Sequence, residues 1–438
     1  MSAVPQPNIS DCFKPLWMVS KILGMDPYEI SVRALGNGRV KLELMLSKRA
    51  LVYVTSGILT RIVIYVYFVF VLIHHANYLA MIPAVYITFI ISTSCLFITS
   101  LAGTVSMWLY KTPRQEMLQL YEEIDAVLID DAGNCYKKWQ KRTIIGIFLM
   151  FVTMSLTSGI NLFKFVHQQN ARTFSEICFN IIDFLNLVMI SNYTNTLLLA
   201  RQRYNILNQK LRSECEVMST TKIRRESAAR YGIPLFIEEL PQQVRSPEFA
   251  RNTRIAFVEA GSSRGNRYSE AKMITSFRIV HNKLYKISAL INSAHGVSMM
   301  LGVLTCFLCF ISTSHRTLLF ASKSFLLADP GVGVAEMVNM FGWWALYSAE
   351  AAAVSWVCSS TAREARETMH AIGDILALPG VDEDASDQLK EFFLQASRRK
   401  THFSGGGFIV LDLPLLASMC VSATSYVLVL LQLYTDKV

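Results

Sequence analysis

The chain has 438 residues, of which 52% are hydrophobic and only 17% are charged, and its formal net charge at pH 7 is +9. Soluble domains usually carry about 25% charged residues, so this composition argues against an ordinary soluble protein and excludes collagen-like, disulfide-rich and fully disordered chains. Long apolar stretches recur along the sequence, and this pattern is typical of a helical membrane protein with several spans.

Seven apolar segments are long enough to cross a bilayer as helices, which takes about 20 residues each. These segments cover residues 50–73, 81–109, 143–163, 174–200, 288–314, 333–358 and 407–433. The sequence therefore predicts an all-α membrane protein, a single seven-helix domain that occupies residues 1–438.

The basic residues predict how these helices are oriented. Of the 42 Lys and Arg residues, 36 fall in the segments 1–49, 110–142, 201–287 and 359–406. With seven spans, these four segments all lie on the same side of the membrane. By the positive-inside rule, the N-terminus lies in the cytosol and the C-terminus lies outside. Attraction to anionic membrane lipid accounts for the positive net charge, and no nucleic-acid partner is predicted.

The cytosolic segments are expected to form a compact helical base. Residues 201–213 continue the fourth span and residues 359–377 continue the sixth, whereas residues 214–268 are polar, contain Pro and Gly, and predict a flexible loop. Residues 386–400 predict an amphipathic helix, with Leu389, Phe392, Phe393 and Ala396 on one face. The run of glycines at 405–407 is expected to break the helix before the last span.

Polar residues inside the spans mark a candidate ligand pocket, because lipid-exposed polar groups are costly. One face of span four carries Glu176, Asn180 and Asp183, and one face of span six carries Glu336, Asn339 and Trp343, with Trp344 and Tyr347 nearby. Carboxylates, amides and aromatic rings suit a polar organic ligand. The alternative is hydrogen bonding between helices together with an interfacial tryptophan belt.

Two further features concern single polar groups in apolar spans. Arg61 in the first span is expected either to pair with Asp183 or to extend towards the interface. In the last span, Ser425 and Tyr426 precede five apolar residues and then Gln432 and Leu433. A ring of such amides and apolar residues in an oligomer could gate a pore, and the alternative is one hydrogen bond between helices.

Signals for enzymatic chemistry are weak. Cys306 and Cys309 have the spacing of a redox motif but lie within an apolar span, with no strand before them. The eight histidines do not show metal-site spacing. No enzymatic activity, metal or cofactor is predicted.

The chain resembles the insect gustatory receptor family. That family ends in Thr-Tyr, five hydrophobic residues and Gln-Phe, and here the corresponding residues are Ser425-Tyr426, Val427 to Leu431 and Gln432-Leu433. The stretches 402–408 and 411–416, and the N-terminal stretch 19–28, are also similar to the family. Leu433 replaces the phenylalanine at the position of the presumed gate.

This resemblance implies a tetrameric, ligand-gated, nonselective cation channel in the plasma membrane of sensory neurons. The seventh span of each of the four subunits would line a central pore, with Gln432 and Leu433 near its outer gate. Each subunit, alone or beside other gustatory receptors, would bind a tastant, either a sugar or a bitter compound, in the outer half of its bundle. The open alternatives are an insect odorant receptor-like channel, an internal nutrient sensor, a G-protein-coupled receptor and a transporter.

Overall fold

A computed structural model describes residues 9–35, 39–74, 83–129, 132–168, 171–231, 263–323, 330–378 and 383–435. Helices dominate these residues, and the expectation of an all-α membrane protein is confirmed. The helices are α1 (Ser10–Ile22), α2 (Lys48–His74), α3 (Pro83–Leu109), α4 (Lys111–Leu128), α5 (Ala132–Gln168), α6 (Ala171–Tyr231), α7 (Ser263–Lys323), α8 (Pro330–Leu376), α9 (Glu383–Arg398) and α10 (Leu413–Thr435). Two short antiparallel hairpins accompany them, β1 (Tyr28–Leu35) with β2 (Arg39–Leu46), and β3 (Ser404–Gly405) with β4 (Ile409–Val410).

Four stretches in the described chain are long and apolar enough to cross a membrane: Lys48–Val71, Ile87–Leu109, Gly133–Val166 and Ala271–Leu318. The other three predicted spans, 174–200, 333–358 and 407–433, are also largely helical and belong to α6, α8 and α10. The spans in α6 and α8 carry several buried amides and carboxylates, among them Asn180, Asp183, Asn339 and Glu350.

The structure differs from the sequence-based expectation in the extramembrane segments. Both ends of the predicted loop 214–268 are helical, because α6 continues through Tyr231 and α7 begins at Ser263; residues 232–262 lie outside the described residues. The hairpin β1–β2 and the helix α4 were not predicted. Strand pairing runs from Tyr28 with Leu46 to Leu35 with Arg39.

The chain divides into two compact units, the first of which comprises Met1–Ala200, Ile287–Thr361 and His402–Val438. In this unit Arg61 is fully buried, and its guanidinium donates hydrogen bonds to the carbonyls of Leu23 (3.4 Å) and Gly24 (3.3 Å) and to the hydroxyl of Thr104. Arg61 therefore neither pairs with Asp183 nor extends towards the interface. It satisfies backbone acceptors that follow the C-terminus of α1, which would otherwise lack partners.

The second unit comprises Arg201–Lys286 and Ala362–Thr401. The apolar face predicted for α9 is largely buried: Leu389 and Phe392 are fully enclosed, and the ring centroid of Phe392 lies 5.5 Å from that of His281 on α7. Thr275 donates a hydrogen bond to Gln388 at 3.2 Å. The helices predicted for the base are thus present, and α9 packs against α7.

The last span begins later than expected. Instead of a helix from residue 407, the chain forms the β3–β4 hairpin, in which Gly406 and Gly407 have φ angles of 59° and 82°. Only glycine adopts these angles without strain. The helix α10 then starts at Leu413, where the side chain of Asp412 accepts a hydrogen bond from the Leu415 amide at 2.9 Å and caps its first turn.

Candidate ligand cavity

A cavity of about 90 Å³ lies in the first unit, among α2, α3, α5, α6, α7 and α8. This volume is several times the space that one water molecule needs. Its lining combines aromatic rings with hydroxyl, amide, carboxylate and guanidinium groups. The lining residues are Phe68, Phe89, Ser92, Thr93, Asn161, Phe179, Asn180, Asp183, Cys309, Ser312, Thr313, Arg316, Asn339, Met340, Trp343 and Tyr347.

Five of the eight pocket residues predicted from sequence line this one cavity. They are Asn180 and Asp183 on α6 and Asn339, Trp343 and Tyr347 on α8. The two polar faces therefore lie opposite each other, as their helical spacing suggested. The side chain of Glu176 lies outside the described residues.

The two remaining candidates, Glu336 and Trp344, are in other environments. Glu336 forms ion pairs with Lys164 and with Arg316, whose Nη2 lies 3.5 Å from its Oε1. Lys164 directly follows the predicted third span, 143–163, but it lies within α5 and is almost fully buried. Trp344 is exposed on the outer surface of α8, and its ring centroid lies 5.5 Å from that of Phe310.

A chain of amides connects three helices along the cavity wall. Nδ2 of Asn339 donates to Oδ1 of Asn161 at 2.9 Å, and Nδ2 of Asn161 donates to Oδ1 of Asn180 at 3.4 Å. Nδ2 of Asn180 then donates to the hydroxyl of Ser158 at 3.1 Å. Oδ1 of Asn339 is buried and has no hydrogen-bond partner among the described residues. The chain thus begins with an open acceptor on a cavity-lining side chain.

Asp183 contributes the carboxylate of the cavity. Its Oδ1 accepts a hydrogen bond from the hydroxyl of Tyr347 at 2.9 Å, and the ring of Tyr347 stacks on Trp343 with centroids 5.7 Å apart. At another part of the wall, the guanidinium of Arg316 lies 5.0 Å from the ring centroid of Phe89. The cavity therefore offers donors, acceptors and flat apolar surfaces, which is the usual composition of a small-molecule site.

Sequence reasoning missed the contribution of α7, although a signal was present. Cys309, Ser312, Thr313 and Arg316 follow the spacing i, i+3, i+4 and i+7, which places them on one helical face. Asn161 was missed as well, because a single amide on a span does not reveal which helix it faces. In the described part of the chain, no group of three or more His, Cys, Asp or Glu side chains could hold a metal ion.

The residues predicted for a pore lie on α10. Ser425, Tyr426 and Gln432 are exposed in the single chain, and Tyr426 retains 59% of its accessible surface. The hydroxyl of Ser425 donates to the carbonyl of Val421 at 3.1 Å within the helix. The side chain of Leu433 lies outside the described residues.

The described helices thus form a membrane-protein bundle with a polar cavity among them. The sequence matches the 7tm chemosensory receptor family over residues 13–434, and the chain belongs to that family. This membership makes it a chemoreceptor and not an enzyme.

Solved structures with a similar fold include an insect olfactory receptor. The structure of the olfactory receptor OR5 from Machilis hrabei matches 97% of this chain and 98% of its own, with a TM-score of 0.64 and 12% sequence identity. The same receptor in complex with eugenol matches with a TM-score of 0.59, 12% identity and the same coverage of both chains. No curated protein matches the sequence significantly. At this identity the likeness establishes the fold.

Proposed function

We propose that the chain is a gustatory receptor, a tastant-gated nonselective cation channel in the plasma membrane of sensory neurons. In this proposal the N-terminus lies in the cytosol, the C-terminus lies outside, and the second unit forms a cytosolic base. A sugar or a bitter compound binds in the cavity of each subunit.

The observation that carries the proposal is the cavity wall. Asn339 presents an open acceptor, Asp183 presents a carboxylate and Trp343 presents a flat ring. A ligand with hydroxyl groups and an apolar face can satisfy all three. The similar olfactory receptor has been solved with a small molecule, eugenol, which supports small-molecule binding in this fold.

The pore is assigned to α10. Val421, Tyr426, Leu428 and Val429 each keep at least half of their surface exposed in the single chain. Such a helix needs partners or lipid around it, and four copies around an axis would place one face of each on a central pathway. Gln432 and Leu433 would then form rings near the outer end, where a ring of apolar side chains closes a pore by excluding water.

A second candidate is an odorant receptor-like channel, which the fold shared with the olfactory receptor favours. The C-terminal residues Ser425-Tyr426 and Gln432-Leu433 favour the gustatory branch. An internal nutrient sensor would have the same cavity and pore, so the ligand and the site of expression separate it from a taste receptor.

Whole-cell recording tests the proposal. Cells that express this chain alone, without added G proteins, are challenged with panels of sugars, bitter compounds and volatile odorants. We expect a rapid cation current that persists when G proteins are blocked. Saturable uptake without current would support a transporter instead, and a response only to odorants would support the second candidate.

Topology is measured in the same cells with small epitope tags. A C-terminal tag should be labelled on intact cells, and an N-terminal tag only after permeabilisation. The opposite result would contradict the proposed orientation and favour a G-protein-coupled receptor. Surface tetramers that remain silent towards the whole panel would contradict a receptor that acts alone, and co-expression with other gustatory receptors would then test a heteromer.

A further inference from the structure

The N-terminal part of α5 carries four cationic side chains on one face. Lys137, Lys138, Lys141 and Arg142 are all exposed. Because successive residues of a helix are turned by about 100°, these four occupy a sector about 140° wide and extend over about 8 Å along the helix axis. They form a compact basic patch on α5.

The described part of the chain supplies no counter-charge to this patch. The three lysines form no ion pair or hydrogen bond among the described residues. The guanidinium of Arg142 lies 5.4 Å from the ring centroid of Trp139, an uncharged partner. Like charges three or four residues apart on a helix destabilise it, so the patch favours an anion that carries more than one charge.

The opposite face of this part of α5 is held against the protein. The hydroxyl of Tyr136 donates to Oδ2 of Asp125 on α4 at 2.8 Å, and Trp139 and Thr143 are buried. These contacts fix the rotation of the helix about its axis. The basic patch therefore points away from the bundle.

The basic patch continues directly into an apolar, outward-facing surface. Ile145, Phe148 and Leu149 fall in the same sector of α5, and each keeps more than half of its surface exposed. They belong to the candidate membrane span Gly133–Val166. A lipid that lies along this surface would have its headgroup at the basic patch and its acyl chains against the apolar residues.

We propose that the basic patch of α5 binds a phosphoinositide, a phospholipid of the cytosolic leaflet whose headgroup carries several phosphates. Clusters of about four to eight Lys or Arg residues beside the cytosolic end of a span are typical of such binding. Ammonium groups bind phosphate as point charges, and a guanidinium binds it with two parallel hydrogen bonds. The apolar continuation of the patch favours a lipid over a soluble polyphosphate. This inference rests on the proposed orientation, in which residues 110–142 lie in the cytosol, but not on the tastant or the channel activity.

Lipid titration of the purified full-length chain in detergent tests the site without tastant or current. Fluorescence anisotropy measures the binding of a labelled phosphatidylinositol bisphosphate. We expect saturable binding, which unlabelled phosphatidylserine and phosphatidylcholine displace at least about tenfold less well than the unlabelled bisphosphate. Soluble inositol trisphosphate should also compete weakly, because it has no acyl chains.

These competitors separate the possible occupants. Displacement by phosphatidylserine as effective as by the bisphosphate would overturn the assignment to a polyphosphorylated lipid. Equal displacement by inositol trisphosphate would overturn the assignment to a lipid. Absence of saturable binding to the unmodified chain would overturn the proposal whatever any variant shows.

Charge-removing variants then locate the binding. Lys137→Gln, Lys138→Gln and Lys141→Gln, combined in one chain, should weaken it about tenfold or more, because each removes one cation from the headgroup. Arginine at the same three positions keeps the charge and should retain the binding. Loss of binding in the arginine variant to the same extent as in the glutamine variant would contradict an electrostatic site.

The matched control removes three exposed lysines from the second unit, with the same change in net charge. Its substitutions are Lys286→Gln, Lys390→Gln and Lys400→Gln. This chain should bind the lipid as the unmodified chain does. Equal weakening in the control and in the patch variant would attribute the binding to net charge and overturn the site. Lipid binding by a chain that gives no tastant current would support the site and contradict the proposed channel.

Discussion

Trp343 and Trp344 are adjacent in sequence but have different environments. Successive residues on a helix point about 100° apart, so Trp343 lines the cavity beside Tyr347, while Trp344 is 40% exposed and packs against Phe310. The pair provides a natural test of the site, because one residue contacts the cavity and its neighbour serves as the control.

Trp343→Ala should raise the agonist concentration for half-maximal current about tenfold, which corresponds to the loss of one aromatic contact. Trp344→Ala should change this concentration little, because its ring lies outside the cavity. Dose–response curves at matched surface expression measure both. Equal shifts in the two variants would indicate a general effect on the bundle and would remove Trp343 from the ligand site.

At the scale of elements, the end of α1 approaches α2 so closely that only glycine fits. Gly24 has a φ angle of 65°, and a Cβ atom there would lie 2.5 Å from the carbonyl oxygen of Tyr53. The same residue offers its own carbonyl to the buried guanidinium of Arg61. The turn after α1 is therefore held to the first span in two ways, by the close approach of Gly24 to α2 and by the hydrogen bond from the Arg61 guanidinium.

Gly24→Ala should destabilise the protein by about 2 kcal/mol or more, because it adds backbone strain to a clash with main-chain atoms. Gly159→Ala on α5 is the control, since a Cβ atom there meets nothing within 4 Å and alanine favours the helix. Melting temperatures in detergent should fall for the first variant and stay equal or rise for the second. An unchanged melting temperature for Gly24→Ala would contradict the close approach.

At the scale of the whole molecule, the largely exposed surface of α10 suggests assembly. Val421, Tyr426 and Leu428 each keep more than half of their accessible surface in the single chain. In the proposed tetramer this helix would meet its own copies and form the pore. Function then depends on an arrangement that no single chain contains.

Leu433→Ala should increase the cation current in the absence of agonist, because a smaller ring would no longer exclude water from the gate. Gln432→Ala should alter conductance or gating. Single-channel recording measures both, with Val421→Ala as a control farther along α10. Unchanged basal current and conductance, with normal surface expression, would place the gate elsewhere.

The helices were predictable because apolar runs in lipid have few alternatives to helical structure. The grouping of Asn180, Asp183, Asn339 and Trp343 was predictable for a similar reason, since polar groups at helical spacing in such runs avoid lipid by turning towards other helices. The hairpin β1–β2 was missed although the sequence Gly-Asn-Gly at 36–38, which is typical of hairpin turns and lies outside the described residues, separates the two strands.

Partner choice was not predictable. Glu336 resembles a ligand-binding acid in sequence, and its ion pair with Lys164 depends on α5 extending further than its apolar run. Arg61 was expected either to pair with Asp183 or to extend towards the interface, but it donates instead to backbone carbonyls of the turn after α1 and to Thr104. Such pairings depend on which helices are neighbours, and no local pattern encodes that.

The amides of Asn339, Asn161 and Asn180 form a chain with a direction, and Ser158 at its end can either accept or donate. If one amide alone rotated by 180°, its NH₂ group would face the NH₂ group of a neighbour and a hydrogen bond would be lost. Only the rotation of all three amides restores every hydrogen bond. The three amides therefore have two orientations in which all of their hydrogen bonds are made, and these two orientations are the two polarities of the cavity wall. A ligand hydroxyl that donates to Asn339 would select one polarity, and a ligand ether or carbonyl in the same place would select the other. Two compounds of equal shape, one a donor and the other an acceptor, would therefore both find a partner at Asn339, each with the amides in the opposite orientation.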